Sequence, residues 1–183
     1  SKPSTADATY AYDPSGAVAS VRYRTQTSVP YSYNIRGQLT NIGGTSWSTS
    51  NLSGRPFIAN YDYTKHGDVK EARFGHNTNG ASGSSGEFFR FLYSYDARHR
   101  LRYANYFEGG TNGSWTNSAS YDLNSIYYDA NGNLKGLRRR GPTGSYVDRL
   151  TYNYSGSNRV TSISDAAGST SSIPWDAEAG SFS

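Results

Sequence analysis

Apolar and polar positions alternate along several stretches of the chain, and each alternating stretch ends at a Tyr followed by polar residues. Phe57, Tyr61 and Tyr63 belong to one such series, and the stretches 89–95 and 150–154 contain two others. Side chains at a spacing of two lie on the same face of a β-strand, so the pattern predicts strands that are buried on one face.

The alternating stretches belong to one motif that recurs six times. It reads as an aromatic or aliphatic residue, any residue, Tyr, a small polar residue, two further residues, and then Gly or a substitute. The copies begin at Tyr10, Tyr31, Tyr61, Tyr93, Ile126 and Tyr152. Their second ring is Tyr12, Tyr33, Tyr63, Tyr95, Tyr128 or Tyr154. The small polar residue is Asp13, Asn34, Thr64, Asp96, Asp129 or Ser155. The last position holds Gly16, Gly37, Gly67, His99, Gly132 or Asn158.

The stereochemistry of each position predicts a β-hairpin. A short polar side chain at the start of a turn accepts hydrogen bonds from backbone N–H groups two residues on. Gly, Asn and His tolerate a positive φ, which closes a type I turn. Aliphatic residues such as Val18 and Val21 follow at a spacing of three, so the returning strand needs either a β-bulge or burial on both faces.

The composition supports an all-β fold. The 183 residues include 17 Tyr and 20 Gly, and 15% of the chain is aromatic although only 34% is hydrophobic. The mean hydropathy is −0.75, but disordered chains are poor in aromatic residues. We predict one array of tandem antiparallel β-hairpins over 10–163, a lead-in over 1–9, and a polar tail over 164–183 that leads to a further repeat.

Charge and residue usage exclude several classes of protein. The 18 basic and 14 acidic residues give a net charge of +4, which is low for a nucleic-acid-binding domain. No apolar run approaches the roughly 20 residues of a membrane-spanning helix, so no membrane insertion is expected. The chain has no Cys and no His pair at metal-binding spacing, so we predict neither a metal nor a cofactor.

The Asp residues of the motif have two interpretations. Asp13, Asp96 and Asp129 are candidates for catalytic carboxylates, but Asn34 and Thr64 occupy the same position in other copies. An amide or a hydroxyl does not replace a general acid, whereas either one caps a turn. We therefore expect no catalytic residue and no enzymatic activity.

The tryptophans suggest an alternative function, which is ligand binding. Trp47 and Trp115 lie in polar inserts between the hairpins. An exposed indole beside Ser and Asn side chains is suited to stacking on a sugar ring, which would make the inserts a carbohydrate-binding surface. The favoured interpretation is that each ring folds back over an apolar groove, since this removes a large side chain from water. A third hypothesis is that an unpaired strand edge adds to the sheet of a partner.

The hairpins, above all Tyr128-Asp129-Ala130-Asn131-Gly132, resemble the YD repeats of the Rhs family of bacterial cell-surface and toxin proteins, which are related to the teneurins of animals. The resemblance covers six copies from Tyr10 to Ile163. It implies a strip of hairpins that forms part of a spiral shell, in a protein that is extracellular or on the cell surface. It further implies a structural role in enclosing or presenting another polypeptide, such as a toxin, with that payload and adjoining repeats as partners.

Overall fold

The computed structural model describes residues 8–23, 26–44, 52–78, 86–109, 114–156, 158–167 and 180–181. These residues form fourteen strands, and their pairing is antiparallel throughout the registers that follow. The strands are β1 (Ala8–Tyr12), β2 (Val18–Tyr23), β3 (Val29–Tyr33), β4 (Leu39–Ile42), β5 (Phe57–Tyr63), β6 (Val69–Asn77), β7 (Gly86–Tyr95), β8 (Leu101–Gly109), β9 (Trp115–Thr116), β10 (Leu123–Tyr128), β11 (Leu134–Arg140), β12 (Tyr146–Tyr154), β13 (Val160–Asp165) and β14 (Gly180–Ser181). The prediction of an all-β fold built from tandem antiparallel hairpins is confirmed. Within the described ranges, no helix has the length and apolar character needed to cross a membrane.

Packing divides the chain into two compact units. The first consists of Ser1–Arg90 and Glu108–Thr116, and the second of Phe91–Phe107 and Asn117–Ser183. In the first unit β1 to β6 are hydrogen-bonded neighbours in sequence order, and β9 pairs with the end of β8. In the second unit the order is β8, β10, β11, β12, β13 and β14. The sequence predicted neither β9 nor β14, because both are only two residues long and lie in polar segments.

A β-bulge forms where the motif meets its turn in five of the hairpins. The register shifts between Ala11 and Tyr12, so that Tyr12 pairs with Val18. The same shift immediately before the second ring occurs in the hairpins β3/β4, β5/β6, β10/β11 and β12/β13. Of the two arrangements that the sequence left open for the returning strand, these five hairpins have the bulge.

Two apolar clusters lie in the interior of the first unit, together with the buried polar residues Glu71 and Asn77. Val29, Ile42 and Ala59 form one buried cluster, against which five partly buried hydrophobic residues pack. A second cluster joins Leu52, Ile58 and Phe88, with the partly buried ring of Trp115 packed against it. The five partly buried residues that pack against the first cluster are Tyr31, Leu39, Phe57, Tyr61 and Phe74. Residues from the inserts, and not only from the motif, therefore complete this core.

The interior of the second unit combines aliphatic residues with the buried polar residues Ser120, Asp122 and Asp148. Ala104, Ile126, Val147 and Leu150 are buried there. Beside them Asp148 is 1% exposed and forms an ion pair with Arg139. The buried carboxylate of Asp122 accepts a hydrogen bond of 2.7 Å from the backbone N–H of Tyr106. Aromatic rings also contact one another in this unit, with Tyr106 at centroid distances of 5.3 Å from Phe91 and 5.2 Å from Tyr121.

Candidate functional site

The six turns share one backbone geometry. In the first turn, the N–H of Gly16 donates to the carbonyl of Asp13 at 3.0 Å, and the N–H of Asp13 donates to the carbonyl of Ala17 at 2.8 Å. The same two bonds close the turns that begin at Asn34, Thr64, Asp96, Asp129 and Ser155. The closing residue has a positive φ in every turn, with values of 86, 74, 101, 60, 92 and 61° at Gly16, Gly37, Gly67, His99, Gly132 and Asn158. His and Asn therefore occupy the left-handed position that the sequence assigned to them.

The polar side chain at the start of the turn caps the loop from inside. One oxygen of Asp129 accepts from the N–H of Asn131 at 3.0 Å and from the N–H of Asn133 at 2.9 Å. Asp13, Asn34, Thr64 and Asp96 accept the equivalent pair of backbone bonds in their own turns. Because an amide, a hydroxyl and a carboxylate make the same bonds, the capping does not require a charge.

Three of the six capping side chains are nevertheless carboxylates, and the surrounding hydrogen-bond donors stabilise their negative charge. A hydrogen bond from the Arg100 side chain, supported by backbone N–H groups, lowers the pKa of Asp96 to about 2. The Ser15 hydroxyl lowers the pKa of Asp13, and the Asn133 amide lowers the pKa of Asp129. All three carboxylates are thus held in the ionised form, which accepts hydrogen bonds and has no proton to give.

The second ring of the motif links one hairpin to the one before it. The hydroxyl of Tyr63 donates to the carbonyl of Leu39, the first aliphatic residue after the preceding turn, at 2.7 Å. Burial raises the pKa of Tyr63, so its hydroxyl keeps the proton that it donates. The corresponding bonds run from Tyr33 to Val18 at 3.1 Å, from Tyr128 to Leu101 at 3.0 Å, and from Tyr154 to Leu134 at 2.8 Å. We call these four bonds the tyrosine ladder.

Neighbouring turns also contact each other directly. In the first unit Arg36 donates to the carbonyl of Lys65 at 2.8 Å, and Gln38 donates to the carbonyl of Gly67 at 3.0 Å. In the second unit Arg98 donates to the carbonyl of Ala130 at 3.0 Å. Further along, the amides of Asn131 and Asn133 both donate to the side-chain oxygen of Asn158. Each unit therefore has a row of turns joined by side chains.

Tyr12 and Tyr95 occupy the second ring position in the other two repeats. Tyr12 ends β1 in the first hairpin, and its side chain is 64% exposed. Tyr95 ends β7 and is partly buried next to the turn of Asp96. Both hold the position in the motif that the ladder tyrosines hold in their own repeats.

The two tryptophans proposed for ligand binding differ in what the structure describes. Trp47 lies outside the described residues. Trp115 is partly buried against Leu52, Ile58 and Phe88, with the guanidinium of Arg90 at 5.0 Å from its ring centroid. The indole thus contacts an apolar cluster on one side, as expected for a ring that covers a groove. Sugar binding by these two residues stays a prediction.

The tyrosine ladder was missed by the sequence analysis, which assigned the paired rings to apolar packing alone. A signal for it was present in the motif. The first ring position varies from Tyr to Ile126, whereas the second is Tyr in all six copies and never Phe. A strict demand for the hydroxyl indicates a hydrogen bond, because Phe would fill the same volume.

No group of three or more His, Asp or Glu side chains suited to a metal ion occurs among the residues that the structure describes. The carboxylates of the turns lie in separate repeats, each with its own set of backbone donors. What the arrangement can do chemically is to fasten hairpins to one another through hydrogen bonds.

Comparison with known proteins gave matches only among solved structures. No family model matches the chain, and no curated protein matches it. The Photorhabdus luminescens Tc holotoxin pore with a mutated TccC3 is similar over 86% of this chain, at 15% identity and a TM-score of 0.40. TcdB2-TccC3-TEV is similar over 93% at 12% identity and a TM-score of 0.26, and TcdB2-TccC3 without its hypervariable C-terminal region over 87% at 14% and 0.27. The aligned region covers 10%, 12% and 11% of those solved chains, so this chain spans about a tenth of their length.

Proposed function

We propose that the chain is a non-enzymatic wall segment of a secreted or surface-exposed Rhs-type shell, which encloses or presents another polypeptide such as a toxin. The tyrosine ladder is the observation that carries this proposal. It supplies a repeat-to-repeat connection of the kind that an extended wall needs, in a chain whose motif resembles YD repeats.

The ladder suits a wall because its acceptor is a backbone carbonyl. Tyr33, Tyr63, Tyr128 and Tyr154 donate to carbonyls of Val, Leu, Leu and Leu residues, and the side chain at the acceptor position is not part of the bond. Any hairpin with Tyr in the second ring position can therefore dock on any preceding hairpin. Repeat arrays that contact only their neighbours are stabilised in this manner and lengthen without redesign.

The adjoining repeats of the same protein are the first partner of the proposed wall. Tyr10 and Tyr12 are 55% and 64% exposed, whereas the paired rings Tyr31 and Tyr33 are partly buried. A further hairpin placed against β1 would cover these two rings and offer its carbonyl to the Tyr12 hydroxyl. This surface is where we place the contact with a neighbouring repeat.

The turn carboxylates support a structural rather than a catalytic role. Asp13, Asp96 and Asp129 each use one oxygen to cap two backbone N–H groups. A general acid must hold a proton near neutral pH, and a pKa of about 2 at Asp96 is the opposite condition.

Limited proteolysis of the intact parent protein, followed by mass spectrometry, tests the proposal. We expect a polypeptide outside the repeats to survive protease while the repeats are folded, and to be digested once denaturant unfolds them. The matched control is the same polypeptide expressed without the repeats, which should be digested at once. Equal digestion rates in the two samples would contradict enclosure and leave presentation at a surface as the remaining role.

A further inference from the structure

The exposed face of β11 and β12 carries two arginines that oppose each other. Arg138 pairs with Arg149 in the antiparallel register, and both residues are exposed. Like charges directly opposite each other on one face of a sheet destabilise the pair. Among the residues that the structure describes, neither guanidinium forms an ion pair that would offset this repulsion.

Three guanidinium groups, including those of the two opposed arginines, lie near the ring of Tyr146. The Cζ atoms of Arg138, Arg149 and Arg140 lie 5.9, 5.4 and 4.4 Å from the ring centroid of Tyr146. Arg140 is fixed there, because it donates to the carbonyl of Gly144 and, at 3.2 Å, to the Tyr146 hydroxyl. Burial raises the pKa of Tyr146, but the charge of Arg140 and hydrogen bonds from its neighbours more than offset this effect and lower it. The local potential is therefore positive.

A depression of about 210 Å³ lies beside the two opposed arginines. Its lining includes Arg138 and Arg149 together with the hydroxyl-bearing residues Ser125, Tyr127 and Thr151. Ser125 has a φ of 51° at the point where the register of β10 shifts between Asn124 and Tyr127. A bulge of this kind redirects side chains, and here it is placed at the edge of the depression.

The neighbouring carboxylate is already engaged. Asp165 accepts the backbone N–H of Arg149 at 2.9 Å and that of Ala167 at 2.8 Å through one oxygen. Asp148 is directed to Arg139, whose side chain alternates to the other face of β11. Arg138 shares one hydrogen bond with the Tyr146 hydroxyl, and neither Asp148 nor Asp165 is described as pairing with Arg138 or Arg149, so the remaining N–H groups of the two guanidinium groups are available to an external anion.

We propose that this depression binds a phosphate or sulfate group, with Arg138 and Arg149 as its charged donors and the hydroxyls of Ser125 and Thr151 beside them. A guanidinium matches a tetrahedral oxyanion with two parallel N–H bonds, and a dianion offsets the repulsion between two opposed cations. The site is independent of the shell proposed above, because it lies within one unit and needs no payload.

Titration of the folded chain with inorganic phosphate and with sulfate tests this site, at constant ionic strength maintained with chloride. The arginine Nε–Hε resonances of Arg138 and Arg149 should shift in a saturable manner in a ¹⁵N-labelled sample. The Arg138→Gln, Arg149→Gln double variant should weaken binding at least about tenfold, since each hydrogen bond to a charged group is worth roughly that factor. The Arg138→Lys, Arg149→Lys variant keeps both charges and should weaken it less.

The matched control is Arg22→Gln, which removes one positive charge from an exposed position of β2 in the other unit. We expect it to leave the affinity within about twofold of the original. Equal weakening by Arg22→Gln and by Arg138→Gln alone, which removes the same charge, would overturn the proposal, because binding would then follow net charge alone. Resonance shifts of the same size in chloride alone would overturn it as well.

Discussion

The two compact units use the same hairpin motif, and each buries apolar residues and a paired carboxylate, Glu71 in the first and Asp148 in the second, but the residues that complete their interiors come from different places. In the first unit, Leu52 and Trp115 come from the inserts and join Ile58 and Phe88 in an apolar cluster. In the second, the buried carboxylate of Asp148 pairs with Arg139 among aliphatic residues. The tyrosine ladder and the capped turns occur in both. The motif therefore determines how hairpins connect, whereas residues outside it determine what each interior is made of.

The largest effect should come from the apolar interior of the first unit. Leu52 is 0% exposed, so Leu52→Ala leaves a cavity and should reduce the free energy of unfolding by about 3 kcal/mol. Ile35 at the tip of the second turn is fully exposed, and Ile35→Ala should change it by less than about 0.5 kcal/mol. Denaturant unfolding with hydrogen exchange of β5 measures both. A loss for Leu52→Ala no greater than for Ile35→Ala would contradict an apolar interior as the source of stability.

The buried ion pair of the second unit should give the next largest effect on the free energy of unfolding. Asp148→Asn removes the carboxylate that pairs with Arg139. Because the Arg139 side chain is 33% exposed, water offsets part of the loss, and we expect the free energy of unfolding to fall by about 2 kcal/mol. The control is Asp62→Asn, because Asp62 lies 3.6 Å from Arg73 but is 63% exposed, and its loss should stay below about 1 kcal/mol. Thermal unfolding compares the two. If both variants lose the same free energy of unfolding, burial does not distinguish the pair of Asp148 and Arg139 from the exposed pair of Asp62 and Arg73.

Removing one hydroxyl from the tyrosine ladder should have a smaller effect on the free energy of unfolding. This effect should be of equal size in the two units. Tyr63→Phe and Tyr128→Phe each delete one hydrogen bond and should cost about 1 kcal/mol. Tyr12→Phe makes the same chemical change at an exposed ring outside the four described bonds, and should cost close to nothing. A loss at Tyr63 without one at Tyr128 would show that the ladder matters only beside an apolar interior.

Acidification should have the smallest effect on the free energy of unfolding, because it removes the charge of a turn carboxylate. The pKa of Asp96 is about 2 in the folded chain, below the ordinary Asp value of 3.8, so the unfolded chain takes up the proton first as the pH falls. Its stabilising contribution is therefore present above about pH 4 and is lost as the pH falls towards 2. Asp96→Asn keeps the capping oxygen, as Asn34 does in the second turn, and should flatten the dependence of stability on pH in this window. Carboxyl NMR titration and acid unfolding measure it, and an unchanged slope would contradict the role of this charge.

The turns were the most predictable part of the molecule. A capping side chain and a left-handed residue are local requirements, so their residue types are written directly into the motif. His99 and Asn158, with φ near 60°, were identified by the same stereochemical argument as the glycines. The bulge was predicted only as one of two possibilities, because spacing alone does not say how two strands pair.

The interiors were much harder to predict. The inserts that contain Leu52 and Trp115 are rich in Gly, Ser and Thr, and nothing in their pattern shows which apolar residue turns inward. The pairing of Arg139 with Asp148 depends on the register of β11 against β12, which brings the two residues opposite each other. Long-range pairings of this kind carry no periodic signal. The oxyanion site of Arg138 and Arg149 escaped the sequence for the same reason.

The direction of the tyrosine ladder has a consequence for synthesis on the ribosome. In each of the four bonds, the donor belongs to a later hairpin and the acceptor carbonyl to the one made just before it, 15 to 27 residues earlier. A newly emerged hairpin thus finds its docking partner already present, and each connection closes only a short loop. The ladder can therefore form one hairpin at a time from the N-terminal side, whereas the cluster of Leu52, Ile58 and Phe88 is completed only when Trp115 has been made.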